Sequence, residues 1–245
     1  ALYQFTWGAF CDWYLEFTKP ILAGEDQAAQ EETRAMTAWV LGEIVHLLHP
    51  IMPFLTETLW RHLAGEGAGM LITAPWPQAR GAGDAAAMAE MDWVVALISA
   101  IRTARAEMNV PAASEIAALI TDCAAPQAEI IARHNEQIRR LARLSAIARP
   151  DPAAPRRAGT VQVVLENATI ALDLAGAIDL DKERARLAKE AAALVDELDK
   201  IARKLDNPQF ITKARPEAIA EQRERQAEKA AALDRVKAAL ARIGG

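Results

Sequence analysis

Cysteine is nearly absent from this chain. Cys11 and Cys123 stand far apart and form no CxxC, which excludes a disulfide framework and a cysteine zinc module and points to a reducing, cytoplasmic setting. No apolar run approaches the roughly eighteen residues of a membrane-spanning helix, and no signal peptide opens the sequence, so no membrane partner is expected. Phosphate-cradling motifs are missing too. Neither GxGxxG nor GxxxxGK[ST] occurs, and the Gly65–Gly69 loop lacks both the lysine and a preceding strand. No serine lies in a GxSxG turn, and neither cysteine has a histidine partner in sequence. One ExxH, Glu43-Ile44-Val45-His46, lies in a helical stretch. Di-iron bundles need such motifs in pairs, and His49, His62 and His134 lack matching glutamates. No catalytic residue, metal site or cofactor is expected in this chain.

What is present is helix. The 245 residues are 52% hydrophobic and 25% charged, the composition of a soluble protein with room for two or three compact units. Helical periodicity begins within the first few residues after Ala1, which reads as a piece cut from a longer protein. Tyr3, Trp7, Phe10, Tyr14 and Phe17 recur at 4,3,4,3 spacing, a stripe on one helix face that predicts core. Trp13 lies beside the stripe and is expected to be the more exposed. Lys19-Pro20 should end this helix. After a polar loop at 24–30, a second helix is expected over 31–48 with Met36, Val40, Ile44 and Leu47 inward. A third starts at Pro53 and covers 54–63. Leu71-Ile72 and Pro75-Trp76-Pro77 read as an extended strap. A long fourth helix over 84–109 carries Met91, Val94, Val95, Ile98, Ile101 and Met108 on its apolar face and closes at Val110-Pro111. Together these form a four-helix bundle.

The pattern then changes. Residues 115–121 and 160–165 are β-type runs, and 168–174 alternates through Ile170, Leu172 and Leu174, with Asn167 as the turn residue. The stretch 126–144 is helical and 150–155 a surface loop, giving a small α+β unit over 112–177. From Asp179 onward Leu180, Leu187, Leu194 and Ile201 recur every seven residues, with Ala191, Leu198 and Leu205 interleaved. That is a sustained a/d seam. Asp206-Asn207-Pro208 stops it, and a return helix starts at Pro216 with Ile219, Leu233, Val236, Leu240 and Ile243 in rhythm. Gln226 and Lys229 make this arm less pure. The result is an antiparallel coiled-coil hairpin, each arm about 40 Å long at 1.5 Å per residue. The fold class is therefore mainly α: a four-helix bundle over 1–111, a small α+β subdomain over 112–177, and the hairpin over 178–245.

Net charge is −5, but its distribution matters more. Residues 1–178 carry 13 Lys+Arg against 20 Asp+Glu, whereas 179–245 carry 15 against 13. Between Arg133 and Arg157 there are seven arginines against only Glu136 and Asp151. Local patches, not totals, set affinity for phosphates, although any single one of these charges is ordinarily a solvated surface group.

Several segments carry a resemblance. WGAFCDWYLE (7–16) followed by Lys19, LLHPIMPFLTETLW (47–60), PWP (75–77) and IRTARAEMNVP (101–111) resemble the C-terminal part of class I aminoacyl-tRNA synthetases. The HPIMPF-type segment is shared by the isoleucine, leucine and valine enzymes. DLDKERARLAKE (179–190) and KLDNPQFITKARPEAI (204–219) are similar to the terminal arm of the valyl-tRNA synthetase family, with Arg215 departing from the usual alanine-to-proline step. The resemblance covers essentially the whole chain. It implies an anticodon-binding bundle and a hairpin that reaches the outer corner of tRNA(Val). It also implies a parent enzyme that joins valine to tRNA with ATP and Mg, its HIGH- and KMSKS-type motifs and editing domain lying outside this sequence. This chain should bind tRNA as a monomer, without catalysis and without DNA.

Anticodon readout needs splayed bases stacked on aromatic or guanidinium planes. Arg102, Arg105 and Asn109 share one face at the end of the long helix, a face either buried or presenting two cations and an amide to an RNA loop. Trp13, Lys19, Arg139, Arg140 and Arg143 are further candidates. On the arm, Lys200, Arg203, Lys204, Lys213 and Arg215 cluster about the tip, and Phe210 either closes the turn or stacks on a base pair. The rival reading is a coiled-coil assembly module, since hairpins and dimers share a/d patterns. An independent bundle enzyme has only Glu43 and His46 behind it.

Overall fold

The computed structural model describes residues 1–78, 83–149, 159–207 and 215–243. The chain is mainly helical with one small sheet, and it divides into two compact units, Ala1–Val95 and Ala96–Gly245.

In the first unit, the opening helix is continuous but not uniform. α1 (Leu2–Gln4) passes into a π-helical stretch, Phe5–Tyr14, and then into α2 (Leu15–Ala23). Leu15 N–H donates to the Phe10 carbonyl, an i→i+5 bond. The wider turn breaks the 4,3,4,3 register. Phe10 and Phe17 are buried, as expected, but Tyr3 and Trp7 are 77% and 56% exposed. Trp13 is half-buried, stacked on Phe17 at 6.0 Å between centroids, partly exposed as expected but less so than Tyr3 and Trp7. The helix also outlasts Pro20, ending at Ala23. Pro20 lies in the last turn, where the missing N–H removes a single helical bond and the buried ring contributes packing.

α3 (Gln27–Leu48) starts earlier than expected because Asp26 caps it, its carboxylate accepting from Ala29 N–H at 3.1 Å. Tyr14 Oη and Thr37 Oγ1, 3.2 Å apart, tie α3 to the opening helix. Ile44 and Val45 are buried, whereas Met36 and Leu47, expected inward, are exposed. α3 packs against α2 on one side and α4 (Pro53–Ala64) on the other. His46 meets Trp60 edge-on at 4.7 Å, and His49 Nδ1 lies 2.8 Å from the buried Thr56 hydroxyl. Both histidines of this segment are thus packing groups. The strap is held where Leu71 N–H donates to Glu57 at 3.0 Å, with Leu71 itself buried in a 3₁₀ turn, Leu71–Thr73.

α5 (Ala85–Glu107) buries Val94, Ile98 and Ile101, as its periodicity predicts, and also Leu97 and Ala104, while Met91 and Val95, expected on the same face, are half-buried. It ends through Asn109, which has φ 49°, with Val110 N–H returning to the Arg105 carbonyl at 2.9 Å. A left-handed residue followed by such a bond is the usual C-terminal helix stop, and asparagine tolerates it better than other non-glycine residues.

The second unit is built on a sheet of order β2-β1-β4-β3. β1 (Ile116–Cys123) runs parallel to β2 (Leu144–Ala148) and antiparallel to β4 (Ala168–Asp173), which pairs with β3 (Thr160–Leu165). Asn167, at φ 63°, turns β3 into β4 as expected. The expected single helix over 126–144 is instead α6 (Ala125–Arg133) and α7 (Asn135–Ala142), followed by β2. β2 is short and sits at the sheet edge, so its sequence LSAIA carries little strand signal. The loop expected at 150–155 lies outside the described residues.

α8 (Leu180–Leu205, 26 residues) and α9 (Pro216–Ile243, 28 residues) form the hairpin. Leu187, Leu194 and Ile201 on α8 and Leu233 and Val236 on α9 are buried, as the heptads predict, while Ala239 is buried in place of the expected Leu240, which is half-buried. Glu197 meets Lys229 across the seam at 2.8 Å, while residues nearer the tip on α8 face earlier residues on α9, an antiparallel pairing.

Candidate nucleic-acid interface

The three polar residues at the end of α5 turn out to be structural. Arg105 is 6% exposed. Its guanidinium donates to the carbonyls of Arg143 (3.1 Å), Pro111 (3.3 Å) and Ser114 (2.7 Å). Burial pushes its pKa down, and the neighbouring Arg143 adds to the shift. It ties the 111–114 turn, where Ser114 N–H donates to the Pro111 carbonyl, to the end of α7, and of the two alternatives for this face Arg105 takes the buried one. Arg102 is exposed at its rim, yet its Nε donates to the Leu141 carbonyl at 2.8 Å. Asn109 is exposed and donates its amide to Glu183 at 3.3 Å. The same spacing that suggested an RNA-facing surface therefore brings the long helix onto the α+β unit and the foot of the arm.

The α7–β2 corner is different. Arg139, Arg140 and Arg143 are exposed, and so are Arg133 and Arg149. Arg143 adopts the left-handed conformation (φ 54°) that caps α7, which swings its side chain out of the helix path. Arg139 donates to the Ser145 carbonyl at 2.6 Å, fixing one end of this basic face. Five exposed arginines thus lie between the end of α6 and the residue after β2, the side chain best matched to phosphate geometry.

On the arm, Lys200, Arg203, Lys204 and Arg215 are exposed. A groove between the two helices is lined by Glu197, Lys200, Ile201, Lys204, Gln222 and Arg225. Arg225 was not singled out in the sequence. Its signal was the antiparallel pairing itself, which puts a return-arm cation beside Lys200 and Lys204. Phe210 and Lys213 lie outside the described residues.

In the first unit, Lys19 is exposed and paired with Glu16, while Trp13 is half-buried on Phe17. Both lie on the same helix, six residues apart in sequence. Among the described residues, no group of three or more His, Cys, Asp or Glu side chains is placed to hold a metal ion, and no helix is long and apolar enough to cross a membrane.

Comparison with known proteins assigns the parts. Residues 1–120 match the anticodon-binding domain of tRNA ligases, and residues 179–244 match the valyl-tRNA synthetase tRNA-binding arm. Across 99% of its length the chain is 46% identical to the valine–tRNA ligase of Caulobacter vibrioides, covering 27% of that protein. It is 43% identical over 99% of its length to the enzyme of Agrobacterium fabrum, covering 25% of it, and 44% identical over its full length to that of Rhizorhabdus wittichii, covering 27%. The chain thus spans about a quarter of the length of the curated relatives it matches. With an anticodon-binding match at one end, a seamed arm matched at the other and relatives of one kind along the whole sequence, the chain belongs to the valyl-tRNA synthetase family, of which it carries the anticodon-binding domain and the tRNA-binding arm.

Proposed function

We propose that this chain is the tRNA(Val)-binding part of a cytoplasmic valine–tRNA ligase, acting as a monomer. The whole enzyme would activate valine with ATP and Mg in domains that are not part of this sequence. Three modules share the work: the bundle over 1–111 engages the anticodon arm, the α+β unit over 112–177 supports it, and the hairpin over 178–245 reaches the outer corner of the L. The observation that carries this reading is the arm itself, a seam closed within one chain whose outward face holds Lys200, Arg203, Lys204 and Arg225. Because α8 and α9 bury each other's apolar stripes, no free seam is left for a second copy among the described residues. That favours RNA over assembly as the arm's role.

Within the candidate surface, Trp13 and Lys19 on the opening helix and Arg139, Arg140 and Arg143 on the α7–β2 corner remain direct contacts in this proposal, as do Lys200, Arg203, Lys204 and Arg215 on the arm. Arg102 contributes through its solvent-facing rim. Phe210 and Lys213 keep their sequence-based assignment at the tip.

The test is binding to a valine-accepting tRNA transcript at several salt concentrations, with an anticodon-changed transcript as control. Affinity that falls steeply with salt and weakens when the anticodon changes is the expected result. Indifference to the anticodon would remove the bundle from the recognition surface, and absence of binding at low salt would remove the function.

A further inference from the structure

The foot of the arm is held by an unusual set of contacts for a surface hairpin. Asp179 caps α8, accepting from Lys182 N–H at 3.1 Å. One turn later comes Glu183, a carboxylate only 8% exposed. Arg186 chelates it, with Nε 3.0 Å from both oxygens and Nη2 2.6 Å from Oε1. Arg186 Nη1 reaches on to Glu190 at 2.7 Å. From outside the arm, Asn109 Nδ2 donates to the same Glu183 Oε1 at 3.3 Å. Asn109 can do so because it is the left-handed stop of α5 (φ 49°), a position whose backbone is fixed by the Val110-to-Arg105 bond. Arg105, clamped to three carbonyls, anchors that stop in turn. On the other side, a Cβ on Gly159, which has φ 87°, would stand only 2.7 Å from Leu180 Cδ1.

We propose that the Asn109–Glu183–Arg186 contact is a positioning device that sets the direction in which the arm leaves the α+β unit, and so where its basic tip meets the tRNA. This rests on the tRNA-binding reading above. Leverage is the physical reason. An arm of 26 helical residues is about 40 Å long, so a tilt of roughly ten degrees at its foot carries the tip about 7 Å. That exceeds the reach of any hydrogen bond. A hairpin that recognises a rigid RNA elbow needs its direction fixed at the foot, where a short contact controls the largest displacement. A buried carboxylate held by a forked guanidinium is directional in a way that apolar packing is not. Leu187 and Leu194 lie in the seam between the two helices and do not themselves set the direction in which the pair leaves the α+β unit.

The experiment measures direction and binding separately. Spin labels at Val164→Cys on β3 and Val195→Cys on α8, both exposed, are placed in a chain with Cys11→Ser and Cys123→Ser. Their distance distribution reports the arm's direction without RNA. Asn109→Gly removes the amide while keeping a residue at ease with positive φ, and Glu183→Ala removes the carboxylate. Glu183→Gln retains one acceptor oxygen for Asn109. The expected result is a narrow distribution in the parent, a broad one in Asn109→Gly and Glu183→Ala, and an intermediate one in Glu183→Gln. Affinity for the valine-accepting transcript should fall about ten-fold in the first two, because the arm and the remaining contacts act as linked sites whose effective concentration depends on geometry. Circular dichroism of each variant confirms that α8 and α9 are still formed. Distributions as narrow in the variants as in the parent would overturn the proposal whatever the RNA does. Broad distributions with unchanged affinity would overturn the link between direction and tRNA. A parent chain that fails to bind would instead defeat the functional reading, and the distances would still decide whether the contact aims the arm.

Discussion

Two sets of cations occupy this molecule, and they behave in opposite ways. At the end of α5, Arg105 is buried and donates to three carbonyls while Arg102 donates to a fourth. Along the arm, Lys200, Arg203 and Arg215 are exposed beside a groove that also takes Arg225. In sequence the two sets look alike: basic residues at helical spacing within segments of family character. The difference lies in what surrounds them. α5 ends beside the 111–114 turn and the end of α7, where three carbonyls crowd together, and a planar fork of donors is the side chain that can reach several at once. The arm pairs two helices, so cations outside its seam stand at exposed positions, several of them beside carboxylates of the arm itself, as Lys182 is beside Asp179. Family resemblance marks both sets as important, and only packing separates a clamp from a contact.

This comparison breaks first at Arg105. Arg105→Ala should lower stability by about 4 kcal/mol, because it leaves the carbonyls of Arg143, Pro111 and Ser114 short of a charged donor. Chemical denaturation measures it. Arg105→Lys should recover only part, since an ammonium cannot fork. Stability equal to the parent's, with RNA affinity reduced, would place Arg105 among the contacts after all. Next in size is Leu187→Ala in the arm's seam, expected to cost about 3 kcal/mol and to be read as early loss of helical signal on heating. The arm's cations should show the reverse behaviour. Replacing Lys200, Arg203 and Lys204 together by alanine should leave stability within about 0.5 kcal/mol per site. The dependence of log affinity on log salt should become shallower by roughly 2 to 3.

The smallest effect is a pH dependence. The hydrogen bond from Lys229 holds the Glu197 carboxyl below its ordinary pKa, and the Lys182 backbone N–H does the same for Asp179. A carboxyl with a depressed folded-state pKa stabilises fully above its unfolded value, and that contribution is lost as pH falls through the folded one. The arm should therefore loosen on acidification below the usual carboxylate range. Lys229→Met should flatten the part of the titration due to Glu197. Both groups lie at exposed positions, so the change is small beside the seam's. An acid dependence unaffected by Lys229→Met would assign it to other carboxylates.

The hairpin was legible because one rule governs it. Leu187, Leu194 and Ile201 recur at seven because a helix that meets only one other helix has one narrow stripe to bury, and no further layer disturbs that pattern. Ile98 and Ile101 were legible for a related reason: a long helix with a continuous apolar stripe. The opening helix was not. Its π-helical turns change the residue count per turn, and a stripe read at helical spacing lost Tyr3 and Trp7 to solvent. Met36 and Leu47 failed because amphipathic position says which residues can be buried, not how far the neighbouring helix extends. β2 was missed because an edge strand of five residues draws its stability from pairing with β1 rather than from its own composition.

The sequence by itself determined the helical class, the seamed arm with its break near residue 206, the stop at Val110–Pro111 and the family to which the chain belongs. These rest on local periodicity, on proline and asparagine stereochemistry, and on motifs quoted residue by residue. Only the tertiary structure decided which cations are clamps and which are exposed, and that Glu183 is drawn between Arg186 and Asn109 at the arm's foot. The partners of Arg105 and Glu183 are backbone carbonyls and an amide up to 74 residues away in sequence. No periodicity encodes a contact of that range, because it is fixed by where separately folded segments come to rest against one another.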